Sequence, residues 1–205
     1  MHLALFLTAS LIVIIAPGPD NILVLTRGIT LGRRAALISA GGAASGLVIH
    51  SMLAAVGLSA LLGRSVAAYS AVKYVGAAYL LYLGVRALLS REHFSLAGEA
   101  APLPLGQVYV QGVASNLLNP KIAVFFLAYL PQFADPTTGR LGAQLLLLGL
   151  IFAALTWGLF SAIAVCSGAI GGWLRRRPRA ATGLGWLTGG VLVALGIRLA
   201  LPERR

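Results

Sequence analysis

The chain has 205 residues, of which 59% are apolar and 10% charged, with a mean hydropathy of +0.90. A soluble domain carries about 25% charged residues, so this chain cannot coat a globule with charge; a soluble enzyme and a disordered chain are both excluded. Net charge is +11, from 16 Lys and Arg against 5 Asp and Glu, but the basic residues punctuate long apolar runs rather than line one polar face, which is the positive-inside bias of a membrane protein and not a nucleic-acid surface.

A spanning helix needs about 20 mainly apolar residues, and six segments of this sequence qualify. The first runs about Leu3–Thr26 and is broken near Pro17-Gly18-Pro19-Asp20. Met1-His2 supplies no charged leader region, so this run reads as a span of the mature protein. The second runs about Ala35–Leu62 and the third about Val66–Leu89. The fourth, about Val108–Leu130, is interrupted by Asn119-Pro120-Lys121. The fifth runs about Ala143–Leu174 and the sixth about Leu184–Leu201. The fold class expected is all-α integral membrane, a single domain over 1–205, with the longest loop at about 90–106.

The connections are short and basic. Those after spans one, three and five hold Arg27, Arg33, Arg34, Arg86, Arg91 and the Arg175–Arg179 cluster. Those after spans two and four hold Arg64, Arg140 and Lys73 at most. The first set is expected to face the cytoplasm, which puts both termini outside; the tail residues Arg198, Arg204 and Arg205 work against this. Tyr69, Tyr74, Trp173 and Trp186 lie near span ends and read as interfacial anchors. Cys166 lies alone in an apolar run, so no internal disulfide exists and a small buried hydrophobe is expected.

The sequence repeats. Tyr74–Leu89 aligns without a gap on Trp186–Leu201, matching Leu80, Leu83, Gly84, Arg86 and Leu89 to Leu192, Leu195, Gly196, Arg198 and Leu201. Spans one and four each carry a proline break followed by a charge, Pro19-Asp20 and Pro120-Lys121. The chain therefore reads as two three-helix repeats, about 1–89 and about 107–205. Three is odd, so the second repeat enters the membrane upside down. Inverted repeats with broken helices at matching positions are typical of secondary transporters, with the site at the repeat interface.

Asp20 is the one acidic residue inside an expected span, and a charge at mid-bilayer costs about 2.5–3.5 kcal/mol on insertion scales. Pro17 and Pro19 remove backbone donors and Gly18 permits unusual dihedrals. The freed carbonyls must then face protein or a polar cavity, and an acid at the first turn of the restarting helix suits its dipole. Lys121 is the mirror case. It can pair with Asp20, hold a substrate carboxylate, or snorkel to an interface. Asn21 follows one break, while Asn116 and Asn119 bring amides to the other. Gln111, Ser115 and Asn119 form a polar stripe at helical spacing. A zwitterion fits one acid and one base: its ammonium would meet Asp20, and its carboxylate Lys121 or a helix N-terminus. His50 shares a small-residue face with Gly42, Gly46 and Ala54; it is read as facing into the bundle, either as a structural histidine or as a proton relay. Trp157, Ser161 and Ser167 are weaker candidates. There is no Walker-type phosphate loop, and His2, His50 and His93 lack metal-ligand spacing. No cofactor, metal, enzymatic activity or nucleic-acid partner is expected; the partners are a small-molecule substrate and membrane lipid, and Gly-rich faces permit a homodimer.

The segments Ala16–Gly28 (APGPDNILVLTRG), with Gly32-Arg33 after it, and Asn116–Phe133 (NLLNPKIAVFFLAYLPQF) resemble the LysE/RhtB family, the lysine exporter and homoserine/threonine resistance translocators of bacteria. The resemblance covers nearly the whole chain. It implies a bacterial inner-membrane efflux carrier for amino acids or close derivatives, driven by the proton-motive force. Pro17, Gly18, Pro19 and Asp20 carry over as the first motif, and Asn119, Pro120 and Lys121 as the second. Alternatives are a membrane-embedded lipid-handling protein or enzyme, and a structural membrane subunit.

Overall fold

In a bilayer every backbone polar group must be satisfied inside its own segment, so apolar runs of this length fold as helices. The computed structural model describes residues 3–58, 66–89 and 103–201. The described residues are mostly helical and include eight α-helices. They are α1 (Leu3–Ile15), α2 (Pro19–Thr30), α3 (Arg33–Leu53), α4 (Val66–Leu89), α5 (Leu105–Leu117), α6 (Pro120–Val124), α7 (Leu141–Arg176) and α8 (Pro178–Ala200). A π turn at Ala54–Leu58 prolongs α3; a second, Phe125–Tyr129, and a 3-10 turn, Leu130–Phe133, prolong α6. By length and apolar character, three helices can cross a bilayer alone: Arg33–Leu58, Ser70–Leu89 and Leu141–Leu174. Two bent pairs raise this to as many as five, α1 with α2 at 54° and α5 with Pro120–Phe133 at 48°. The remaining apolar stretch, Gly185–Ala200, is shorter. Most of the expected loop at 90–106, including Arg91, Glu92, His93 and Glu99, lies outside the described residues, as do His2, Arg64, Arg204 and Arg205.

Two expectations are corrected. Arg27 is not in a loop: α2 runs on to Thr30, and Arg27 is buried within it. The helix closes only where the Leu31 N–H reaches the Arg27 carbonyl at 2.8 Å. Cys166 is not buried but exposed on the outer face of α7. A helix that is apolar all round does not reveal which face turns inward, and a thiol is apolar enough for lipid.

The core gathers around the second half of the broken fourth span. Phe125 stacks on Phe152 with ring centroids 4.5 Å apart, and Tyr129 and Phe133 extend the cluster towards Phe6. Tyr74, Trp157, Trp173 and Trp186 are instead exposed on the outside, and Arg177 lies over the Trp173 ring at 6.0 Å. The side chains of Tyr69, Arg175 and Arg179 are outside the described set. Between α6 and α7, Asp135 caps a short turn by accepting from the Thr137 N–H at 2.9 Å and its hydroxyl at 2.6 Å. The Thr137 hydroxyl and N–H bonds hold the Asp135 carboxyl below its usual pKa.

The α3–α5 crossing positions the site. A methyl group on Gly42 would lie 3.1 Å from the Gly112 Cα and 3.0 Å from the Val113 nitrogen, so the helices touch backbone to backbone. At Gly41 the same methyl would meet nothing within 4 Å. Gly42→Ala should therefore lower the thermal unfolding midpoint in detergent, at a cost of about 1–3 kcal/mol, whereas Gly41→Ala should leave it unchanged or slightly raised.

Candidate functional site at the two helix breaks

The end of α1 follows from its prolines. In an α-helix each carbonyl accepts from the N–H four residues on, so the Val13 carbonyl would need an N–H at Pro17, which has none. The Lys121 ammonium replaces it, donating at 3.1 Å to the Val13 carbonyl and at 2.8 Å to that of Ala16. The Ile14 carbonyl accepts instead from the Asn21 side-chain amide at 2.9 Å. Gly18 leaves room for this, since a methyl there would sit 2.9 Å from the Lys121 Nζ. A residue of the fourth span thus closes the broken end of the first.

The closure is mutual. Pro19 and Asp20 open α2, with Asp20 in its first turn. The Asp20 carboxylate accepts from the Ser115 hydroxyl at 2.6 Å, the Asn116 amide at 2.8 Å and the Asn119 amide at 3.0 Å. Asn119 also caps α6, its side-chain oxygen accepting from the Lys121 N–H at 3.1 Å, with Pro120 at the first helical position. Asp20 is 2% exposed, Asn116 0%, Asn119 1% and Lys121 6%, so these side chains are buried, with Ser115 partly so. Charge-assisted hydrogen bonds offset the desolvation of the two charges.

Of the nine residues expected around the breaks, Pro17, Gly18, Pro19, Asp20 and Asn21 stand on one side and Asn116, Asn119, Pro120 and Lys121 on the other. Asp20 and Lys121 do not pair; each is held by neutral partners. Two of the three stripe residues, Ser115 and Asn119, reach Asp20, while the third, Gln111, accepts from Arg27. His50 is half-buried: its Nε2 lies 3.4 Å from the Asn116 carbonyl and its ring stacks on Phe126 at 5.4 Å. It lines a cavity of about 300 Å³ with Leu53, Ala54, Gly57, Val72 and Phe126. Trp157 points outward, and Ser167 donates to the Ala164 carbonyl at 2.9 Å on α7, away from the cluster. Among the described residues no three His, Cys, Asp or Glu converge on a metal site. Sequence reasoning missed Arg27 as a residue of the interior; the signal available was its place seven residues after Asp20, on the same helical face.

Asn119 serves both breaks at once. Asn119→Ala should destabilise the protein by about 1–3 kcal/mol through loss of the α6 cap and of one Asp20 donor. Thermal unfolding in detergent checks this, with Leu118→Ala, at an exposed neighbour, as the neutral control.

The LysE type translocator family matches residues 11–203. The homoserine/homoserine lactone efflux protein of Salmonella typhimurium strain LT2 is 32% identical over 195 residues, covering 95% of this chain and 94% of that protein. The uncharacterized membrane protein YrhP of Bacillus subtilis strain 168 is 34% identical over 172 residues, covering 78% and 81%. The leucine efflux protein of Salmonella choleraesuis strain SC-B67 is 25% identical over 198 residues, covering 95% and 92%. No solved structure matches the chain significantly. With a match across almost its whole length and relatives above 30% identity over most of theirs, this all-α membrane protein belongs to the LysE type translocator family.

Proposed function

We propose that the chain is a bacterial inner-membrane secondary carrier that exports amino acids or close derivatives and is driven by the proton-motive force. One observation carries this reading: two facing helix breaks bury a carboxylate and an ammonium that are satisfied by neutral partners and not by each other. A zwitterion presents the complementary charges. The efflux of homoserine and of leucine named for the relatives supports the zwitterion, whereas the homoserine lactone also named for one of them has the amine without a free carboxylate. Asp20, with Ser115, Asn116 and Asn119 behind it, receives the substrate ammonium. Pro17, Gly18, Pro19, Asn21, Pro120 and Lys121 keep the breaks open and joined. His50, half-buried beside the Asn116 carbonyl, relays the coupling proton in this reading. Burial this deep favours alternating access over an open channel.

The carrier is built, in this reading, of six spans in two inverted repeats. Contacts between α4 and α8 support it. A methyl at Gly84 would lie 2.9 Å from the Gly189 carbonyl and 2.7 Å from Val193 Cγ2; one at Gly196 would lie 3.0 Å from the Ala77 carbonyl and 2.9 Å from Leu81 Cγ. The alignment that equates Gly84 with Gly196 also equates Ala77 with Gly189 and Leu81 with Val193. Each contact is returned by its counterpart, as a two-fold relation requires. Both termini are periplasmic, so an alkaline phosphatase fused after Arg205 should be active; an inactive phosphatase with a fluorescent cytoplasmic reporter at the same point would reverse the orientation.

Proteoliposomes preloaded with labelled amino acids, under an imposed proton gradient, test the function. Wild type should release a few of them selectively, and Asp20→Asn and Lys121→Gln should each slow release by about two orders of magnitude, the cost of disturbing a buried charge. Full activity in Asp20→Asn would remove that residue from the pathway. Movement of labelled lipid without amino-acid release would establish lipid handling instead.

A further inference from the structure

Arg27 is a buried cation with no counter-charge beside it among the described residues. It is 9% exposed and lies on α2, where seven residues from Asp20 make two helical turns on the same face, about 10 Å along the axis. Its Nη2 donates to the Gln111 side-chain carbonyl, and its Nη1 is buried without a hydrogen-bond partner. Among the described residues no carboxylate pairs with it. A guanidinium is always charged, and a charge held out of water without a counter-charge is costly. Gln111 itself is exposed, so the guanidinium lies one side chain below the surface of the bundle.

Its position relative to Asp20 is set by α5. Gln111 meets Arg27 and Ser115 meets Asp20, and these two partners are one turn apart, about 6 Å along the helix. Helical side chains lean towards the N-terminus, and the Arg27 side chain, much longer than that of Asp20, reaches back along α2 towards it. An α-amino acid carries its ammonium and carboxylate one carbon apart; with a charge-assisted hydrogen bond of about 2.8 Å at either end it spans about 8 Å, between the roughly 6 Å that separates the two partners on α5 and the roughly 10 Å that separates Asp20 and Arg27 along α2. Lys121 competes poorly for the carboxylate, because its ammonium already closes the end of α1 through the Val13 and Ala16 carbonyls.

We propose that Arg27, oriented by Gln111, receives the α-carboxylate of the substrate while Asp20 receives its ammonium, so that the carrier selects α-amino acids with a free carboxylate. This rests on the amino-acid export reading and assigns the carboxylate to Arg27 in place of Lys121 or a helix N-terminus. A guanidinium, with five donors in a planar fork, suits a carboxylate better than an ammonium does.

The test uses proteoliposomes loaded with labelled amino acids or with the same amino acids as α-amides, which keep the ammonium and lose the carboxylate charge. Wild type should export the acids in preference to the amides. Arg27→Gln should raise the half-saturating concentration for the acids by about tenfold or more, as expected for loss of a charge-assisted pair, and leave that for the amides unchanged; Arg27→Lys should fall between. Arg27→Gln should also unfold at the same or a higher temperature, because it removes an unpaired buried charge. Wild-type affinity for the acids in Arg27→Gln, or export of amides by wild type as readily as acids, overturns the proposal. So does an equal loss for acids and amides with a lowered unfolding temperature, which marks a structural arginine. If wild type exports neither, the export reading fails, and thermal unfolding with the amino-acid pool decides the site: a stabilisation lost in Arg27→Gln upholds a carboxylate site, and no stabilisation removes it.

Discussion

Two helix breaks close each other, and the rest of the bundle is arranged around that exchange. Prolines at 17 and 19 take donors out of the first span and leave carbonyls that lipid cannot satisfy. The fourth span supplies the missing donor as Lys121 at Val13 and Ala16, and Asn21 supplies another at Ile14. In return α2 offers Asp20 to Ser115, Asn116 and Asn119 around the second break. Neither break is stable alone at membrane depth. The 54° and 48° bends follow from this, since each half-helix must aim its end at the other span. The backbone contact of α3 with α5 at Gly42 and Gly112 then brings the stripe on α5 within reach of α2.

The use of neutral partners has an energetic consequence. Had Asp20 and Lys121 formed a buried ion pair, breaking it would cost about 3–5 kcal/mol. Hydrogen bonds to amides, a hydroxyl and carbonyls are individually worth about 1–3 kcal/mol even to charged groups. Such bonds can be exchanged one at a time, which a locked ion pair does not allow. The two π turns, Ala54–Leu58 and Phe125–Tyr129, border the cavity that His50 lines. Such turns are locally under-wound and recur at functional sites, and here they lie on the two helices that flank the cluster.

The outer surface follows the opposite logic. Large apolar side chains such as Leu53, Val56, Val75 and Leu127 are exposed, and the exposed charges among the described residues sit mostly near helix ends, with the partly exposed Lys73 two turns into α4. Lipid is as apolar as leucine, so nothing drives these residues inward; close contact of small residues joins the helices instead. The α4–α8 pair illustrates this, meeting through Gly84, Gly189 and Gly196 while Tyr74, Tyr82 and Trp186 remain outside.

Much was legible in the sequence because it concerns one segment at a time. Proline breaks, long apolar runs, a lone acid within a span and a polar stripe at four-residue spacing are local facts, and they were enough to predict helical spans, two broken helices and a charged pair of breaks. What the sequence could not decide was who faces whom. A helix that is apolar on every side gives no periodicity to show its inward face, so nothing local reveals that Cys166 is exposed; Arg27, a basic residue after an apolar run, reads as a positive-inside flank although α2 continues past it and buries it. Nor does charge complementarity settle a partner: Asp20 and Lys121 look like a pair on paper, yet geometry gives Asp20 to the amides of the fourth span and Lys121 to the carbonyls of the first. Only the tertiary structure fixes this, because a buried charge goes to whichever backbone or side-chain group the packed helices bring within hydrogen-bond reach.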